Sequence, residues 1–204
     1  MMDRWRLTRS VGVVVLAGCA ALGVSEREAL AQGGNAPQNA ADWPLHSLDI
    51  SNSRYSRLDE ITVSNAGKLR QAWSFDAPPS GNIHSMTPIV VDGVMYFNSG
   101  SRLFALDAAT GKTVWTFQSA QTFQGGGRGP AYGDGRIYAF GASLMYAVDA
   151  KTGKAVESFG TGGVLRIVEN VLRFKYPGKF PDEFDPTKLG YVMTNPPTYF
   201  NATL

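Results

Sequence analysis

Eleven residues from Ala105 to Trp115, A-L-D-A-A-T-G-K-T-V-W, return as A-V-D-A-K-T-G-K-A-V-E from Ala147 to Glu157. Asp107 and Asp149 are 42 residues apart, and the neighbouring features keep that offset. Asp92-Gly93 answers to Asp134-Gly135, Pro88 to Pro130, Tyr96 to Tyr138 and Phe117 to Phe159. A fixed period of roughly 40–45 residues confines a chain to successive copies of one small unit. No copy buries its apolar face alone, so neighbouring copies must supply the core.

The unit itself is readable. Strands are expected at Pro88–Val91, Val94–Asn98, Arg102–Leu106 and Lys112–Phe117, and the second copy runs from Gly129 to Phe159. Asp-Gly between two apolar runs is a hairpin signal, because both turn positions need positive φ. Asp107 to Gly111 closes the third strand onto the fourth. The Asp107 carboxylate caps local N–H groups and Gly111 takes the left-handed conformation. Four short strands per period imply an all-β chain, a β-propeller of four-stranded blades, and 23 Gly and 11 Pro suit its many turns. Ala105, Asp107, Thr110, Gly111 and Trp115, with Ala147, Asp149, Thr152 and Gly153, form a structural set rather than a catalytic one.

Trp73 stands 42 residues before Trp115, so Leu69–Phe75 reads as a lone copy of the last strand. In a ring, such a strand completes the final blade. Trp43–Leu58 is expected as ordered loop and residues 32–42 as a linker. Gly160–Gly190 interrupts the period. Val164, Ile167, Val168 and Val171 have helical spacing there, and Glu169 and Arg173 form an i, i+4 pair. Pro177, Pro181 and Pro186 keep the remainder of the insertion in loop. A third blade begins at Asn195-Pro196-Pro197, with a turn at Asn201-Ala202. Two blades alone are complete, so the expectation is a fragment of a longer protein.

Residues 1–31 read as an export signal. Arg4, Arg6 and Arg9 precede the apolar run Val11–Val24, and Ala29-Leu30-Ala31 is a small-residue cleavage site. Leu16-Ala17-Gly18-Cys19 alternatively resembles a lipobox, with Cys19 lipidated. Either places the chain outside the cytoplasm. Cys19 is the single cysteine, so no intrachain disulfide and no thiolate metal cluster exists. A net charge of +2 leaves no footprint for nucleic acid. Neither glycine run has a phosphate-loop pattern. No cluster has metal-ligand spacing, so metal ligands and a catalytic base are expected beyond residue 204.

A-x-D-x-x-T-G-x-x-x-W at Ala105–Trp115 resembles the tryptophan-docking motif of pyrroloquinoline quinone (PQQ) repeat proteins. The second copy departs from it at Glu157. N-S-R-Y-S-R-L (Asn52–Leu58), R-G-P-A-Y (Arg128–Tyr132), S-F-G-T-G-G-V (Ser158–Val164) and N-P-P-T-Y (Asn195–Tyr199) resemble, in order, segments of PQQ-dependent alcohol and glucose dehydrogenases. That resemblance implies an eight-bladed propeller holding PQQ and Ca²⁺ on its axis. It further implies a periplasmic enzyme that oxidises a sugar, polyol or alcohol by hydride transfer to the quinone. Electrons then pass to a membrane quinone or cytochrome c. The piece of 204 residues is expected to be inactive alone if the ring is incomplete.

The resemblance points Arg128 at PQQ, where a guanidinium suits the cofactor's carboxylates and carbonyls. Gly125-Gly126-Gly127 would let the backbone approach a flat molecule. Family alcohol dehydrogenases place adjacent cysteines six and five residues before this Arg, where this chain has Thr122 and Phe123. Phe123 or Gln124 could cover the cofactor instead. A family Glu falls on Ser85, and the neighbouring His84 reads as a polar loop residue. A second reading stays open: a propeller scaffold of the outer-membrane assembly lipoprotein type, which shares the docking motif and needs no cofactor.

Overall fold

The computed structural model describes residues 39–77, 86–123 and 128–204. The leader with Cys19, the candidates Ser85 and Gln124, and His84 lie outside them. Two four-stranded antiparallel sheets follow one another along the chain. Sheet one is β1 (Ile89–Val91), β2 (Val94–Ser99), β3 (Arg102–Asp107) and β4 (Thr113–Gln118), in that order. Sheet two is β5 (Ala131–Gly133), β6 (Arg136–Phe140), β7 (Met145–Asp149) and β8 (Val164–Leu165). The Asp-Gly hairpins form as the sequence requires: φ is 50° and 74° at Asp92-Gly93, and 48° and 71° at Asp134-Gly135.

Strand alternation sorts the side chains into layers. Leu103 and Ala105 of β3 join Ile89, Tyr96 and Trp115 in the core shared with Ile137, Ala139, Tyr146 and Val148 of sheet two. Their neighbours Phe104 and Leu106 point the other way, with Phe97, and pack under Trp73, Phe75 and Met86. Sheet two repeats the division, with Tyr138, Phe140, Met145 and Ala147 on its far face beneath Tyr199. Both faces of each sheet are therefore covered. That explains why β3 and β7 read as nearly continuous apolar runs rather than as alternating ones.

Three expectations need correction. Leu69–Phe75 is extended but in no ladder. A strand needs a neighbour's N–H and C=O groups, and no described segment lies alongside. Its side chains still dock: the Phe75 ring stands edge-on to Phe97 and Phe104 at 5.5 and 5.3 Å. The fourth strand expected through Phe159 is also different. Ala155 makes one bridge to Val148, the chain turns out through Gly160, Gly162 and Gly163, all at positive φ, and β8 returns to pair with Met145 and Tyr146. Lastly, Asp42 belongs to the folded part, not to a linker: it is 5% exposed and its Oδ1 accepts the N–H of Asp92 at 3.0 Å.

Helix α1 (Ile167–Lys175) occupies the insertion and buries Val168 and Leu172. Val164 lies before it in β8, and Val171 is exposed. The Glu169–Arg173 pair is present at 3.0 Å. A tight turn at Asn201-Ala202, both at positive φ, bridges Phe200 to Thr203. Among the described residues, no helix is long and apolar enough to cross a membrane.

Candidate functional site

The segment Trp43–His46 draws the first strands of both sheets together. Trp43 exchanges backbone hydrogen bonds with Val90 at 2.6 and 3.0 Å, and Tyr132 N donates to Pro44 O at 3.0 Å. Two residues on, the ring of His46 meets the backbone of Arg128. A carbonyl only accepts, so His46 Nδ1–H donates to Arg128 O, at 3.2 Å. The same carbonyl accepts Thr87 N–H at 3.0 Å.

These two bonds hold the Arg128 carbonyl, and Arg128 itself stands at φ 34°, on the left-handed side that residues with a Cβ rarely adopt. Gly129 follows at φ 111°, and a Cβ there would stand 2.2 Å from Thr87 O. No residue but glycine fits that crossing. Three residues before β5, the Arg128 side chain is exposed and, among the described residues, has no ion-pair or hydrogen-bond partner. Its carbonyl is fixed while its guanidinium is uncommitted among the described residues. His46 carries no signal in the sequence: it sits in a stretch without periodicity, and nothing local marks a bond 82 residues away.

Phe123, a candidate cover for the cofactor, is 3% exposed. Its N–H donates to Gly100 O at 2.7 Å and its ring packs edge-on to Tyr146, 5.7 Å away, in the core between the sheets. It has no open face to stack on a ligand; Thr122 beside it is exposed.

The docking residues form two equivalent contacts. Trp73 Nε1–H donates to Ala108 O at 3.1 Å, and Trp115 Nε1–H to Ala150 O at 2.9 Å. Each indole lies on a glycine of the next turn. A Cβ on Gly111 would come within 2.6 Å of Trp73, and one on Gly153 within 2.7 Å of Trp115. Behind each glycine the turn is locked by a carboxylate. Asp107 Oδ1 accepts the Thr110 N–H and hydroxyl, both at 2.7 Å, and Asp149 does the same with Thr152 at 2.8 Å. Those bonds, the threonine hydroxyl first, hold both carboxyls below the ordinary carboxylate range. Ala105 and Ala147 are fully buried on the strands leading in. The nine residues of the repeated motif, with Trp73, are packing and turn chemistry.

On the far face of sheet two the Tyr199 hydroxyl donates to Asp134, and its ring stacks on Tyr138 at 5.6 Å. Desolvation, then the bond to that carboxylate, push its phenol up to about 12. Among the described residues, no group of three His, Cys, Asp or Glu side chains could hold a metal ion.

The chain has clear relatives. The quinohemoprotein alcohol dehydrogenase of Comamonas testosteroni is 42% identical over 77 residues, 37% of this chain and 11% of that protein. The quinoprotein alcohol dehydrogenase PedH of Pseudomonas putida is 35% identical over 111 residues, 53% of this chain and 18% of that protein. Among solved structures, the Comamonas testosteroni enzyme matches with a TM-score of 0.53 at 32% identity, over 66% of this chain and 20% of that one. A europium-containing methanol dehydrogenase matches with a TM-score of 0.51 at 30% identity, over 57% and 22%. The match thus spans about a tenth to a fifth of each of these proteins. The relatives are alcohol dehydrogenases, and the likeness implies PQQ and a metal ion as cofactors. A model of the PQQ family described as glucose/ethanol/alcohol dehydrogenase, beta-propeller domain, matches residues 43–204, and the chain belongs to that family.

Proposed function

We propose that this chain forms part of the PQQ site of an exported quinoprotein dehydrogenase, with Arg128 as its cofactor-binding residue. One observation carries the reading: an exposed guanidinium stands at φ 34° on a residue whose carbonyl is held by Thr87 and His46, at the entry to a first strand. Such a fork of donors suits the carboxylates and carbonyls of PQQ, and a pinned backbone lowers the ordering cost of binding. Bound PQQ supplies the hydride acceptor for oxidation of an alcohol carbon. Arg128 orients the cofactor and offsets its negative charge, and the catalytic base and metal ligands come from outside the described residues.

Alcohols are the first substrate class, by the names of the relatives. Thr122-Phe123 in place of adjacent cysteines, with S-F-G-T-G-G-V at Ser158–Val164, keeps sugars and polyols in the set. Calcium is the proposed metal. A quinone and cytochrome c are the proposed electron acceptors, as in relatives named alcohol dehydrogenase (quinone) and 1-butanol dehydrogenase (cytochrome c). The periplasm is the proposed location, through residues 1–31.

Absorbance titration with PQQ and Ca²⁺, on a protein that carries this chain together with the metal ligands and catalytic base, tests the site. Arg128→Ala should weaken binding by roughly ten- to a hundredfold, with Arg128→Lys between, since lysine keeps the charge and loses the fork. Dye-linked oxidation of ethanol and of glucose then ranks the substrates. Saturable PQQ binding that ignores the Arg128 substitutions would remove the residue from the site. Absence of any PQQ binding would favour the scaffold reading.

A further inference from the structure

A cavity of about 560 Å³ opens between the end of sheet two and helix α1, and it shares no lining residue with the Arg128 site. Its size lies within the range of small-molecule sites, roughly 300–1,000 Å³. Gln121 and Ser143 line one side. Gln121 Oε1 accepts Ser143 N–H and its Nε2–H donates to Ser143 Oγ, both at 3.1 Å. The amide's orientation is therefore dictated by a backbone donor, and one amide hydrogen remains to offer. Opposite stands Glu169, whose Oε1 accepts two Arg173 donors at 3.1 and 3.0 Å, while Arg166 approaches Oε2 at 3.4 Å.

The outer wall is a strap fastened by the same arginine. Arg173 Nη2 donates to the carbonyls of Pro181 and Asp182, and the guanidinium carbon lies 5.2 Å from the Phe184 ring centroid. Phe180 stacks on Phe184 at 4.6 Å. Phe184 and Asp185 then line the cavity, and Asp185 is committed to Thr187, accepting its N–H at 2.9 Å and its hydroxyl at 2.7 Å.

The lining mixes apolar side chains, among them Leu144, Val164, Leu165 and Phe184, with polar groups that are held in place and balanced in charge. Arg166 and the Arg173 behind the wall offset Glu169 and Asp185, so neither an anion nor a cation has a net partner. A wholly apolar guest would cover the apolar side chains but strip Gln121, Ser143 and Glu169 of water without replacing their bonds, whereas the carbon face of a polyol covers the former and its hydroxyls serve the latter. Hydroxyl groups both donate and accept, and match a carboxylate, an amide hydrogen and a guanidinium together. We propose that this cavity is a binding site for a small neutral polyol of monosaccharide size, with Arg173 positioning its outer wall.

The proposal stands apart from the cofactor, so its test uses the 204-residue chain with none added. Calorimetric titrations with glucose and sorbitol are compared with acetate as the anionic probe and 1-butanol as the apolar one. At least one polyol should bind saturably, with Kd on the order of 1 mM, and acetate and butanol more weakly. Gln121→Leu and Arg173→Leu should each weaken the polyol about tenfold. Asn170→Ala, at an exposed rim position, should weaken it less while the fold stays intact. No saturable polyol binding, tighter binding of acetate, or affinity unchanged in all three variants would overturn the site.

Discussion

Sheet one and sheet two start from the same turn and finish differently. Asp107 and Asp149 cap their turns with threonine bonds that agree within 0.1 Å. Sheet one then closes with a six-residue β4, its register shifted once between Ala105 and Leu106, whose Trp115 lies on the glycine of the next turn. In sheet two the corresponding residue is the exposed Glu157. There the outer edge of β7 is shared between a single bridge at Ala155 and the two residues of β8. The turn is a local device, complete within five residues. The outer strand is a tertiary one, and a large apolar side chain with a neighbour to cover accompanies its continuity.

The sharpest way to break that comparison is to remove the indoles. Trp115→Ala should cost about 3–5 kcal/mol by denaturant unfolding, and the half-buried Trp73→Ala clearly less, about 1–3 kcal/mol. Equal losses would show that the two docks are not graded by burial. On sheet two, Tyr199→Phe removes the bond to Asp134 and should cost about 1–2 kcal/mol by the same measurement. No loss would mean that the ring stack alone holds the far face.

Acid should separate the turns from the docks. The folded carboxyls of Asp107 and Asp149 are depressed, so their stabilising share is present above the ordinary value of 3.8. It is lost as pH falls below that value through their depressed ones. Asp107→Asn with Asp149→Asn should flatten the melting temperature between about pH 5 and pH 2 relative to the parent. An unchanged acid profile would remove both turns from the acid response. Smallest of all, Glu157→Trp should shift stability by no more than about 0.5 kcal/mol, because the position is exposed and the outer edge there is already broken. A gain above that would show that the tryptophan alone reorders the edge.

The repeat makes the two sheets legible, since hairpin chemistry and a 42-residue offset are local and periodic signals. The helix is legible for the same reason, although its buried residues are Val168 and Leu172 rather than the full set of four. The hidden features depend on partners far along the chain. Leu69–Phe75 alternates like a strand, but only a neighbour makes one. Arg128 can be named from a motif, whereas the His46 and Thr87 bonds that fix its backbone cannot. Phe123 faces the core rather than a cofactor because a sequence does not say which side of a loop is wet.

The direction of the indole contacts has a bearing on biosynthesis. Trp73 is translated before the Gly111 turn that it covers, and Trp115 before the Gly153 turn. Each turn thus leaves the ribosome after the indole that covers it, which comes from the extended Leu69–Phe75 in the first case and from β4 in the second. A pause between residues 115 and 153 would leave Trp115 uncovered, a natural point for a chaperone to intervene.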